Sequence, residues 1–267
     1  MPVIAVDNPT DERLRAFTNL TDMQLRKVTE PEQGIFLAEG EKVIQRALAG
    51  GLQMVSALME PKWWPGLAAH VPEEVNVYLA PPSLLKDITG FRLHRGALAT
   101  FQRPAPRPVA EVLRGARSAV LLEDLVDHTN VGAIFRSAAG LGIDAILVTE
   151  RCADPWYRRS VKTSMGAVFT MPWATVPDVG VGVAAARAAG LVTVAMDPAA
   201  PISLREWDPE PAMLLVGTEG PGLSDAAVAV TDVQVRIPMS RGVDSLNVAM
   251  AATVACYVLG GGFTVSR

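Results

Sequence analysis

The amino-acid sequence predicts an α/β protein: a mostly parallel sheet flanked by helices in the C-terminal part, plus a smaller N-terminal α/β unit. Three observations predict it. From residue 118 onward, continuous apolar strands alternate with helical patterns, which means a parallel sheet covered on both faces. The first hundred residues carry a shorter alternation of their own. Between the two, residues 102–109, Gln-Arg-Pro-Ala-Pro-Arg-Pro-Val, hold three prolines in eight positions and form a stiff, extended linker. The chain is therefore divided into 1–101, a linker over 102–109, and 110–267. A chain starting near Ala110 is expected to fold on its own.

In order, Asp11 to Val28 reads as a charged helix, with Leu14, Phe17, Leu25 and Val28 at helical spacing. Residues 34–38 form a short strand, and Glu41 to Ala49 a helix closed by Gly50-Gly51. Leu52 to Met59 and Val75 to Leu79 are further strands, with Pro61 to Pro65 opening the segment between them. After the linker come a strand at Ser118 to Leu122, a helix beginning near Asn130 and a strand at Ala145 to Val148. A helix over Pro177 to Ala189 and strands at Leu191 to Ala195, Met213 to Val216 and Val233 to Ile237 follow. Ser245 to Leu259 is the last helix.

With 267 residues, 49% of them hydrophobic and 19% charged, the chain can bury a sizeable core, which excludes wholesale disorder. No apolar run approaches the roughly 18–20 residues of a membrane span. The start, Met-Pro-Val-Ile-Ala-Val-Asp-Asn, lacks the basic and apolar regions of a signal peptide. Cys152 and Cys256 lie far apart with no CxxC, which fits a reducing cytoplasm and excludes a cysteine-based zinc site. His70, His94 and His128 have no partner at ligand spacing, so no metal is expected. A net charge of −4 argues against a broadly basic, nucleic-acid-coating protein but leaves room for a local basic patch.

Three segments stand where a strand gives way to a loop or helix, the end of an open α/β sheet at which ligands bind. Asn130-Val-Gly-Ala-Ile-Phe-Arg136 opens an Ala-rich helix; taken alone it is a core helix, capped by Asn130, with one solvated arginine. Strand 214–216 runs into Gly217-Thr-Glu219-Gly220-Pro-Gly222, whose glycines let backbone approach a ligand. It is neither a Walker loop nor GxGxxG, so a dinucleotide-dependent oxidoreductase lacks its fingerprint. Ile237-Pro-Met239-Ser-Arg-Gly-Val-Asp-Ser245-Leu246-Asn247 leads from a strand into a small-residue helix. An N-cap followed by a core helix explains Ser245 more easily than Asn247.

Together, Asn-Val-Gly-x-x-x-Arg, Gly-x-Glu-Gly-x-Gly and Ile-Pro-Met…Ser-Leu-Asn-Val-Ala resemble, in order, the three motifs of the SpoU (TrmH) RNA 2′-O-ribose methyltransferases. Asp154-Pro155…Ser164-Met165-Gly166-Ala167 resembles the same family, and the match covers about residues 118–260. Residues 34–49 resemble, more loosely, the family's N-terminal substrate-binding domain, related in fold to kink-turn-binding ribosomal proteins.

The resemblance implies a trefoil-knotted C-terminal domain and a homodimer formed through it. It further implies S-adenosylmethionine as cofactor and RNA as substrate, with rRNA favoured over tRNA. Carried over, Gly217, Glu219, Gly220, Ile237, Met239 and Leu246 would bind the cofactor. Asn130, Arg136, Ser245 and Asn247 would serve the acceptor ribose. An arginine is a poor base because its pKa exceeds about 12, so Arg136 is read as gripping the adjacent phosphate and stabilising the developing alkoxide. Arg92, Arg95 and Arg103 are candidate RNA-backbone contacts. The alternative is a non-catalytic RNA-binding or ribosome-associated protein on the same scaffold.

Overall fold

The structure is a computed structural model that describes residues 2–93, 96–208 and 211–260; His94 and Arg95 lie outside the described residues. The chain forms two compact units, Met1–Ala105 with Trp156–Phe169, and Pro106–Pro155 with Thr170–Arg267.

The first unit contains β1 (Val3–Ala5), α1 (Met23–Glu32), β2 (Ile35–Glu39), α2 (Glu41–Ala49), β3 (Met54–Met59), α3 (Trp64–Leu67), β4 (Asn76–Leu79), α4 (Pro82–Thr89) and β5 (Ala97–Gln102). Its sheet runs β1-β4-β3-β5-β2, with β5 antiparallel to both β2 and β3. The single helix expected over Asp11–Val28 is instead two pieces. Asp11 caps a 3-10 turn, Glu12–Phe17, and Asp22 caps α1. Between them Asn19 takes φ 53°, a left-handed turn that breaks the helix. Leu14, Phe17 and Leu20 enter the core while Leu25 and Val28 are exposed, so the apparent apolar stripe was two unrelated faces.

The second unit adds α5 (Val109–Val112), β6 (Ser118–Leu122), α6 (His128–Gly140), β7 (Ala145–Thr149), β8 (Trp173–Val176), α8 (Val179–Ala188), β9 (Val192–Met196), β10 (Ile202–Ser203), β11 (Ala212–Val216), α9 (Asp225–Val230), β12 (Val233–Arg236) and α10 (Val248–Leu259). Its seven strands run β10-β12-β9-β11-β6-β7-β8, and all the pairings are parallel. Strands β11, β6 and β7 are buried along their whole length, as their unbroken apolar runs require. Two boundaries depart from the sequence reading. Asp127, not Asn130, caps α6, which places Asn130 in the first turn. Asn247 caps α10, which leaves Ser245 and Leu246 in the preceding loop.

The segment between β7 and β8 belongs to the first unit. It carries α7 (Arg158–Thr163). Trp156 and Phe169 pack on Phe36 with ring centroids 4.9 and 5.5 Å away, and Phe36 stacks in turn on Phe101 at 5.4 Å. Glu39, buried, takes ion pairs from Arg158 and Lys162, both at 2.5 Å. The expected division at the proline linker therefore omits fourteen residues, 156–169, that complete the N-terminal core.

Candidate active site

The carboxyl ends of β9, β11 and β12 deliver their loops to one cavity of about 740 Å³. That volume suits a drug-sized organic ligand. Its wall includes Gly217, Glu219, Gly220, Ile237, Met239, Ser245, Leu246 and Asn247, eight of the ten residues singled out in the sequence. Asn130 and Arg136 are not in that wall.

The glycine-rich loop leaves β11 through Gly217, which is buried. A Cβ there would lie 2.2 Å from the Gly222 carbonyl oxygen, so the backbone crosses itself at a distance only glycine permits. Thr218 and Gly222 then exchange backbone hydrogen bonds of 3.0 and 3.1 Å, closing the loop, and Gly220 and Gly222 turn it with φ 93° and 75°.

Glu219 at the loop tip joins Asn130 and Asn247. Its Oε1 accepts from Asn130 Nδ2 at 3.0 Å and from Asn247 Nδ2, and Asn247 Nδ2 also donates to Asn130 Oδ1 at 3.1 Å. The orientation of Asn247 follows from its second task. Its Oδ1 caps α10 by accepting from the Ala249 N–H at 3.0 Å, so its Nδ2 must face the other way, toward Glu219. Asn130 is set from below: Asp127 Oδ1 accepts from the Asn130 N–H at 2.9 Å. Burial opposes ionisation of Asp127, but the backbone N–H groups of Asn130 and Thr129 hold its carboxyl below the usual range.

Arg136 lies on the exposed face of α6, six residues from Asn130, and its guanidinium has no partner among the described residues. Ser245 is exposed and likewise unpaired at the cavity mouth. The site brings together Asn130, Glu219 and Asn247; it does not bring Arg136 to them. Sequence reasoning missed Met196 at the end of β9 and Asp197, Pro198 and Ala199 after it, which also line the cavity. The rule that ligands sit at strand carboxyl ends was the one available signal for them. Among the described residues no group of three His, Cys, Asp or Glu side chains could hold a metal ion.

A family profile of the SpoU rRNA methylases matches residues 117–257, the stretch that contains the cavity, Asn130 and Asn247. The chain belongs to the SpoU rRNA methylase family. An uncharacterized tRNA/rRNA methyltransferase of Mycobacterium bovis is 39% identical over 94% of this chain and 90% of its own length. A 23S rRNA uridine 2′-O-methyltransferase of Streptomyces viridochromogenes is 32% identical over 84% of this chain and 82% of its own. Among solved structures, the SpoU methyltransferase AviRb from S. viridochromogenes in complex with AdoMet superposes with a TM-score of 0.80 at 28% identity, covering 96% of this chain and 100% of that one. An AdoMet-bound rRNA methyltransferase from Sinorhizobium meliloti gives 0.82 at 26% identity, covering 96% and 97%. This SpoU chain thus shares its fold, over nearly its full length, with proteins that hold that cofactor.

Proposed function

We propose that this SpoU chain transfers a methyl group from S-adenosylmethionine to a ribose 2′-hydroxyl of ribosomal RNA. The observation that carries the reading is the Asn130–Glu219–Asn247 cluster at the mouth of a 740 Å³ cavity whose wall is a glycine-rich loop. The donor set fits the cofactor. Main-chain groups around Gly217, Ile237 and Leu246 offer hydrogen bonds, and Ile237, Met239 and Leu246 offer a dry wall for an adenine ring. When bound, the cofactor supplies an electrophilic methyl on a sulfonium.

The chain's own contribution is positioning, since an in-line displacement at a poor hydroxyl nucleophile gains most from alignment. Glu219, held through Oε1, keeps its other oxygen for the ribose. Ser245, unpaired at the mouth, has a hydroxyl available to the same sugar. Arg136 acts from outside the cavity; its free guanidinium suits a phosphate contact with two hydrogen bonds and stabilises charge developing on the acceptor oxygen.

The first unit is the RNA-selecting domain, and the protein works in the cytoplasm as a homodimer of knotted domains. Support for pairing comes from α10, where Met250, Val254 and Tyr257 recur at helical spacing and are 62%, 41% and 53% exposed. Among the described residues no helix is long and apolar enough to cross a membrane.

Calorimetry with S-adenosylhomocysteine, followed by mapping of ribose methylation on rRNA incubated with the protein, tests the reading. Binding with a new 2′-O-methyl mark is expected. Failure to bind the cofactor product overturns it, and binding without transfer points to the non-catalytic alternative.

A further inference from the structure

Glu123 follows β6 directly and is 6% exposed. Its backbone N–H donates to the Val216 carbonyl at 2.9 Å, which sets it beside the point where the glycine-rich loop departs. Both carboxylate oxygens point at one residue on the far side of that loop. Oε2 accepts from the Ser224 N–H at 2.9 Å and Oε1 from the Ser224 hydroxyl at 2.6 Å. Ser224 is its only hydrogen-bonding side-chain partner among the described residues, and Arg151 attracts it only through space. Ser224 itself is exposed and caps α9 by accepting from the Ala227 N–H at 3.1 Å.

A buried carboxylate with no cation bonded to it is a costly way to hold a surface turn, and a neutral acceptor would avoid the desolvation. What the charge adds is stiffness: charge-assisted hydrogen bonds are shorter and stronger than neutral ones, and two on one residue fix its direction as well as its distance. The loop is then held at three points. Glu219 is tied at the tip, the Thr218–Gly222 bridge closes the waist, and Glu123 anchors the return end.

We infer that Glu123 is a positioning residue for the methyl-transfer site: through Ser224 it sets the glycine-rich loop at the height at which its main chain meets the cofactor. The inference rests on the cofactor reading above. Glu123 itself lies outside the cavity wall.

The test uses the full-length protein. Calorimetry with S-adenosylhomocysteine is run on wild type, Glu123→Gln, Ser224→Ala, Ser224→Thr and the Glu123→Gln/Ser224→Ala double variant, with thermal unfolding of each and separate KM values for cofactor and RNA. Wild type must bind; if it does not, the cofactor reading fails and the inference that rests on it falls with it. Given binding, Glu123→Gln is expected to weaken it about tenfold or more, the scale of lost hydrogen bonds to a charged group. The KM for cofactor should rise while the KM for RNA stays put. Ser224→Ala should lose affinity comparably, Ser224→Thr should restore it because both donors survive, and the double variant should be no worse than the worse single one. Equal losses in both KM values with a large fall in Tm would mean a merely structural role and overturn the inference. So would wild-type affinity in Glu123→Gln, or additive losses in the double variant. Should Glu123→Gln fail to fold, the contrast between Ser224→Ala and Ser224→Thr at the exposed partner decides alone; equal affinities there overturn the inference.

Discussion

Replacing Gly217 by alanine tests the cavity wall at its tightest point. The new Cβ would meet the Gly222 oxygen at 2.2 Å and its carbonyl carbon and the Leu223 nitrogen at 2.3 Å, where ordinary contact begins at 3.4 Å. All three atoms are backbone, so no side chain can swing away, and the chain at Gly222 and Leu223 must retreat by about 1.2 Å, the difference between the two distances. Gly222 holds both bonds of the loop-closing bridge, at 3.0 and 3.1 Å, and such a shift breaks them. Two lost hydrogen bonds at about 1 kcal/mol each, with overpacking of about 1 kcal/mol at least, come to about 3 kcal/mol. Binding the cofactor requires the loop in its original place, so roughly half or more of that penalty should appear as lost affinity, about tenfold to a hundredfold. Calorimetry with S-adenosylhomocysteine reads it directly, with circular dichroism to confirm that the variant is folded. A folded Gly217→Ala protein that binds as tightly as wild type would refute the claim that this crossing shapes the cofactor wall.

Other perturbations probe other parts. Arg136→Ala should abolish methyl transfer with cofactor affinity nearly unchanged, because Arg136 lies outside the cavity wall; Arg136→Lys should fail too, since an ammonium cannot make the two-pronged phosphate contact. Single-turnover rates beside calorimetry separate the two effects, and a large loss of cofactor binding would put Arg136 in the wrong half of the site. Asp232 is held down to about 2 by hydrogen bonds from Arg187 and Thr193. A depressed carboxyl stabilises the fold above its unfolded pKa of about 3.9, and that contribution is lost as pH falls toward 2. The side chain is 37% exposed, so the gain is discounted to within about 1 kcal/mol. The Tm gap between wild type and Asp232→Asn should narrow from pH 5 to pH 3; a constant gap would contradict this. A chain beginning at Pro106 would leave Trp156 and Phe169 without Phe36 and Phe101, so it should be aggregation-prone. Recovery of a monodisperse, cofactor-binding fragment would show that residues 156–169 need no partner.

The sequence carried the parallel sheet because its central strands are continuous apolar runs, and it carried the cavity because three polar or glycine-rich segments stand together at strand ends, although the glycine loop alone reads equally well as an ordinary turn. Glu219 and Asn247 were legible as polar groups beside those loops. Their convergence with Asn130 was not, since the contacts span 89 and 117 residues and no local pattern encodes them. The caps were misassigned for a local reason. Asn130 and Ser245 are good capping residues, but Asp127 and Asn247 stand nearby and compete for the same N–H groups, and the winner depends on where the strand before delivers the chain. The loop Asp197–Ala199 carries no unusual composition, so only its place at a strand end marks it. The excursion over 156–169 is hidden for a different reason: its aromatic residues read as core wherever they occur, and sequence does not say whose core.

That excursion has a consequence for the order of events during synthesis. Residues 106–169, 64 in all, must be made after Ala105 before Phe169 can reach Phe36. At the ordinary bacterial-to-eukaryotic elongation range of about 5–20 residues per second, the wait is about 3–13 s. For that interval the N-terminal unit exists as a nascent chain with its aromatic cluster unfilled and Glu39 without its two cations. Strand β8, on the edge of the larger sheet, is made only after the excursion ends. The first unit is complete once Phe169 is made, while the second waits for the strands and helices after Thr170, so a slow codon stretch or a chaperone acting between residues 106 and 169 would govern the yield of the first.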